Sequence, residues 1–146
     1  MRGRRWLQLL VGIAAACAFP PVSPAAAYAH DIFVVDGDTV RATMDVWPAV
    51  AVKSTLRLNR IDAPELHRAT PCEEAAGSKA KLHLEQLLQD SDSRLLVEPV
   101  TVDSFGRVIA ELKLGDVNIS DRMMADGMAV QWTGKRIPWP CEAIPL

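Results

Sequence analysis

The residues that could do chemistry in this sequence are four carboxylates and two guanidinium groups. Asp36, Asp38, Asp62 and Glu65 each sit beside turn-forming residues, and Arg57 and Arg107 stand close to them or to a further turn. Short acidic side chains at turns can converge on an oxygen-loving ion such as Ca2+. A guanidinium is a rigid fork that grips two phosphate oxygens at once. Such a set suits hydrolysis of a phosphodiester. That reaction needs a hard cation on the phosphate, a group that orients or deprotonates water, and positive donors for the negative charge that develops. Arg57, Asp62 and Glu65 lie within nine residues, and Asp36 and Asp38 flank a single glycine. Taken singly, each feature also describes a solvated turn or a surface arginine, so the weight rests on their order and combination.

The elements that must position these groups follow from the hydrophobic pattern. Residues 31–61 are rich in β-branched and apolar residues with partial alternation, as at Ile32, Val34 and Val40 and then at Val52, Leu56 and Leu58. This pattern predicts three strands, with Asp36-Gly37-Asp38 as a turn or bulge between the first two and Trp47-Pro48 in the loop before the third. From Glu73 to Gln89 the apolar positions Ala76, Ala80, Leu84, Leu87 and Leu88 recur at helical spacing and predict an amphipathic helix. Arg94–Val102 and Val108–Leu114 read as two more strands joined by Asp103-Ser104-Phe105-Gly106-Arg107. Asn118 should cap a short helix that turns Ile119, Met123 and Met124 inward, with Asp121 completing a capping box. Asn118-Ile119-Ser120 also matches a glycosylation sequon. Three strands, a helix, two strands and a helix predict an α+β fold: a five-stranded Greek-key β-barrel of the OB type with two packed helices.

Three blocks, in order, resemble the signature of the staphylococcal nuclease-like (thermonuclease) family: Val34–Val40 around Asp36-Gly37-Asp38, Arg57–Glu65, and Asp103–Arg107. The resemblance covers roughly residues 31–132. It implies a Ca2+-dependent nuclease acting on DNA and/or RNA, with 3′-phosphate and 5′-hydroxyl products. Carried over residue by residue, it makes Asp38 and Asp62 carboxylate ligands of Ca2+ and Ala63 a ligand through its backbone carbonyl. Asp36 would stand behind them, holding metal-bound water. Glu65 would be the general base or water-positioner, and Arg57 and Arg107 would hold the phosphate and stabilise the five-coordinate transition state. The sequence departs from the family in its tail. The type member's tyrosines after the second helix are missing, and the only tyrosine here is Tyr28. Trp132 or Trp139 would either take over base stacking or cover the open side of the barrel. Phe105 stands where a tyrosine is common, and a short tail replaces a long C-terminal helix. His67 reads as loop surface and His83 as the exposed helix face. With His30 they form no ligand cluster by spacing, so no zinc site is expected.

Length and composition set the remaining bounds. The sequence has 146 residues, which suits one domain after an export signal. Arg2, Arg4 and Arg5 precede an apolar run from Trp6 to Phe19. That run is too short to span a bilayer and is followed by the helix-breaking Pro20-Pro21. Ala27-Tyr28-Ala29 offers a cleavage site, which makes residues 1–29 a cleaved signal peptide and 30–146 the domain. A competing reading acylates Cys17 as a lipoprotein. Residues 1–29 contain three arginines and no acid, so the remainder carries 13 basic and 18 acidic side chains, a net charge of −5. An acidic domain gains little from nonspecific phosphate neutralisation, so any activity must come from a focused site. Cys72 and Cys141 then remain as a pair and read as a disulfide in an oxidising compartment, periplasmic or secreted. A monomer without membrane attachment after cleavage is expected, with nucleic acid as its substrate. The alternative is a catalytically weak OB-fold module that binds nucleic acid or a protein partner. The joint presence of Arg57, Glu65 and Arg107 speaks for hydrolysis, since a scaffold needs none of them together.

Overall fold

The apolar alternation of the five long segments is satisfied by rolling them into a closed barrel. The computed structural model describes residues 25–67, 69–89, 94–136 and 138–141. Strands β1 (Ala27–Asp36), β2 (Thr39–Trp47) and β3 (Val50–Leu58) form an antiparallel meander. At the rim or side follow the short β4 (Ile61–Asp62), the 19-residue helix α1 (Pro71–Gln89) and, after the hairpin of β5 (Leu95–Val102) and β6 (Val108–Leu114), the short β7 (Val117–Asn118). Helix α2 (Ile119–Ala125) and β8 (Val130–Gln131) complete the chain order. β1 joins β5, and β3 closes the barrel by pairing in parallel with β6, Leu56 opposite Val108. This is the predicted five-stranded barrel with two helices. Its interior is filled by Val40, Leu56, Leu58, Val97 and Leu112, against which α1 packs Leu84 and α2 packs Ile119 and Met123. Each such side chain contributes roughly 1.5 to 3 kcal/mol by leaving water.

Helix α1 starts two residues earlier than the periodicity predicts, because Pro71 suits a first helical position, where no backbone donor is needed. Thr70 caps it, its Oγ1 accepting the Glu73 N–H at 3.2 Å. Asn118 caps α2 as expected: its Oδ1 accepts the Asp121 N–H at 3.3 Å, while its Nδ2 donates to Glu111 at 2.7 Å. The Asp121 carboxylate does not return to the cap; it accepts from Arg60 instead, so only half of the capping box forms. With its amide engaged and Ser120 fully buried, the sequon serves the fold.

Glu111 is the hub that ties this helix to the barrel. Its carboxylate accepts from Arg60 Nε at 2.9 Å, Asn59 Nδ2 at 2.7 Å and Asn118 Nδ2 at 2.7 Å. Burial alone would push its pKa up, but the donors from Arg60, Asn118 and Asn59 and the Arg60 charge together hold it at about 2, below the ordinary 4.5. A carboxylate whose folded pKa is depressed stabilises the fold fully above its unfolded pKa and loses that contribution as pH falls through the folded value. Stability should therefore drop between about pH 4.5 and pH 2 in the parent protein, and Glu111→Gln should flatten that part of the curve. Urea unfolding across this window measures both slopes.

The basic and apolar parts of the proposed signal, with Cys17, lie outside the described residues. The proposed cleavage site does not: Ala27, Tyr28 and Ala29 pair with Val97, Leu96 and Leu95 and make up the whole β1–β5 seam, with Ala27 and Ala29 buried. A cut after Ala29 would remove that seam. Among the described residues no helix is long and apolar enough to cross a membrane. Cys72 and Cys141 are bonded, with Cα atoms 6.0 Å apart. His67 is exposed as expected, but His83 is not on a free face. Its Nε2 lies 2.7 Å from Asp126 Oδ2, so it ties α1 to the end of α2.

Candidate active site

The site is assembled where the β1–β2 turn, the end of β3 and the loop after β4 meet α1. Register brings the first two together: Thr39 lies opposite Arg57, so the β3 arginine reaches back to the turn. Small residues bring in the rest. A Cβ on Gly37 would lie 2.7 Å from the Ala63 Cβ and 2.8 Å from the Ala80 Cβ, and one on Gly77 would lie 2.6 Å from the Glu65 carbonyl oxygen. Only glycine lets the turn, the loop and α1 approach this closely.

Asp38, 4% exposed, is the most deeply placed charged group among the described residues. Its Oδ1 accepts from Thr39 Oγ1 at 2.9 Å and from Arg57 Nη1 at 2.7 Å, and its Oδ2 accepts the Ala63 N–H at 3.1 Å. Asp36 braces the turn by accepting the Asp38 N–H at 3.1 Å. Arg57 Nη2 reaches Asp62 Oδ1 at 2.9 Å. One guanidinium thus bridges two carboxylates from different segments. Burial pushes Asp38 up to about 7, against the pull of the Arg57 charge and with the neighbouring Asp36 adding to the rise.

Glu65 is close in sequence to this cluster, and its side chain is 48% exposed. Its N–H donates to Glu73 Oε1 at 3.3 Å, and its own Oε1 accepts from Arg136 Nη1, while Arg136 Nη2 donates to Glu73. Arg107 is held within its own hairpin: Nε donates to Asp103 Oδ2 at 2.7 Å and its N–H to Asp103 Oδ1 at 3.0 Å, with the guanidinium 5.5 Å from the Phe105 ring centre. Among the described residues no three His, Cys, Asp or Glu side chains converge as a metal site. Asp38 and Asp62 meet at Arg57 instead. The structure therefore brings together Asp36, Asp38, Arg57, Asp62 and Ala63, with Glu65 adjacent, and leaves Arg107 bonded to Asp103.

Of the aromatics, Trp132 and Phe105 are exposed, Trp139 is partly buried outside the core, and Tyr28 lies on β1 with Arg94 4.3 Å from its ring centre. Arg136 is the residue that sequence reasoning missed. Its signal was indirect: a cation in a tail that Cys141 could pin near the first helix.

The family model described as staphylococcal nuclease homologue matches residues 55–138, more than half of the chain. The chain belongs to the staphylococcal nuclease homologue family. Arg57, Asp62, Glu65, Arg107 and Arg136 of this nuclease homologue all fall inside the matched span. Asp36 and Asp38 precede it, and they are joined to it physically by the Arg57 and Ala63 hydrogen bonds to Asp38. None of the curated proteins matches the chain. Family membership points to nuclease-type function, with nucleic acid as substrate.

Proposed function

We propose that this nuclease homologue is an exported Ca2+-dependent hydrolase that cleaves phosphodiester bonds of DNA and/or RNA and leaves 3′-phosphate ends. The observation that carries this reading is the bridge from Arg57 to both Asp38 and Asp62, with Glu65 three residues beyond Asp62. Two carboxylates from different segments, one of them buried, converge on a single cation and form an oxygen-rich place that a divalent ion suits. Asp38 and Asp62 would hold the ion with the Ala63 carbonyl, and Asp36 would fix the turn that presents Asp38. Bound Ca2+ supplies positive charge to the phosphate oxygens.

The chain's own residues do the rest. Arg57 and Arg107 grip the phosphate and meet the charge that grows on its non-bridging oxygens as water attacks phosphorus. Glu65 takes the proton from that water. The bond from phosphorus to the 5′-oxygen breaks, that oxygen gains a proton from solvent, and the phosphate stays on the 3′ side. Export is supported by the Cys72–Cys141 bond, which suits an oxidising compartment. A signal cut that preserves the β1–β5 seam would lie before Ala27.

Removing divalent cations should abolish hydrolysis of DNA and RNA, and Ca2+ should restore it better than Zn2+, because the donors are all oxygens. Product length on a gel and phosphatase-sensitive 3′ ends are the readouts. Undiminished cleavage in excess chelator would overturn the metal assignment.

A further inference from the structure

The tail after β8 is fixed at two points. The Trp132 N–H donates to the Arg60 carbonyl at 2.8 Å, and Cys141 is bonded to Cys72 in the first turn of α1. Between these anchors Arg136 places one guanidinium nitrogen on Glu65 and the other on Glu73. Glu73 is itself nearly covered, 12% exposed, and accepts the Glu65 N–H. Two carboxylates thus stand side by side at the edge of the site, and Arg136 is the cation that lets them do so. It engages Glu65 through Oε1 alone, and among the described residues nothing bonds Oε2.

We propose that Arg136 is a positioning residue for Glu65: the disulfide-anchored tail holds one oxygen of the Glu65 carboxylate so that the other faces the attacking water. This rests on the nuclease reading above. An exposed glutamate at the end of a loop samples several rotamers, and Glu73 beside it would repel it outward. A planar fork across both carboxylates removes both problems, and a displacement of about 1 Å at a reacting group can cost on the order of a hundredfold in rate. Arg136 acts through Glu65 and is not itself placed on the phosphate.

The test is steady-state kinetics of the full chain on a DNA oligonucleotide with Ca2+, with thermal unfolding recorded alongside. Arg136→Ala should lower kcat by roughly ten- to a hundredfold while KM stays within about twofold. Arg136→Lys should recover only part of the loss, since an ammonium lacks the fork. In a Glu65→Gln background, Arg136→Ala should have no further effect on kcat. A near-native kcat in folded Arg136→Ala, a loss confined to KM, or a full additional loss in the Glu65→Gln background would each overturn the positioning role. A parent protein that cleaves neither DNA nor RNA with Ca2+ would instead overturn the nuclease reading and this role with it.

Discussion

Glu65→Gln and Arg107→Ala should each lower turnover by at least about a hundredfold, the scale of losing a general base or a donor to developing charge. Both variants should remain folded, for reasons visible in their surroundings. The Glu65 side chain is half exposed, and glutamine keeps an oxygen for Arg136 while losing the ability to take a proton. Among the described residues Arg107 bonds only to Asp103 of its own hairpin, so its removal leaves the Asp38–Arg57–Asp62 cluster untouched. Arg57 is the wrong residue for this test. Its loss would leave Asp38 buried without its ionic partner, a change that costs roughly 3 to 5 kcal/mol in stability and mixes folding with catalysis. Turnover on DNA with saturating Ca2+, with unfolding followed in parallel, decides the matter. If either folded variant kept near-native turnover, its assigned role would be wrong.

The elements were legible because each segment has one dominant period. Val34, Val40, Leu56 and Leu58 mark strands, and Ala76, Ala80 and Leu84 mark a helix, and all are buried where that pattern puts them. Boundaries were harder, since they depend on local chemistry: Pro71 extends α1 by two residues because it suits a first turn. The start of β1 was missed for another reason. Ala27-Tyr28-Ala29 satisfies both the small-residue pattern of a processing site and the in-out-in pattern of a strand, and only the pairing with Leu95–Val97 shows that the barrel uses it.

The cluster of Asp36, Asp38, Arg57 and Asp62 was legible as a set of residue types, but its wiring was not. That Arg57 bridges Asp38 and Asp62 follows from the Thr39–Arg57 register, and a register is a long-range property. His83 and Arg136 were misjudged or missed on the same ground. Helical spacing puts His83 on an outer face, yet α2 returns Asp126 to that face. Nothing local in Thr133-Gly134-Lys135-Arg136 announces a contact with Glu65, which arises only because the tail is tied at both ends.

That tie should itself be measurable. Cys72 and Cys141 are 69 residues apart in sequence, and closing a loop of that size in the unfolded chain stabilises the fold by about 4 kcal/mol on the chain-entropy account. Cys141→Ser is therefore expected to cost roughly 2 to 5 kcal/mol in denaturant unfolding. The barrel core should keep its packing, because neither sulfur lies within the cluster of Leu56, Leu58, Leu84 and Leu112. The bond also bears on the surroundings of the site: Cys72 directly precedes Glu73, and the tail it fastens carries Arg136 onto Glu65. The parent protein unfolded in reductant should lose the same stability as the variant, while the variant should be insensitive to reductant. Two thiols titrating freely in protein purified without reductant, or equal stability of parent and variant under oxidising conditions, would show that the bond does not form in solution.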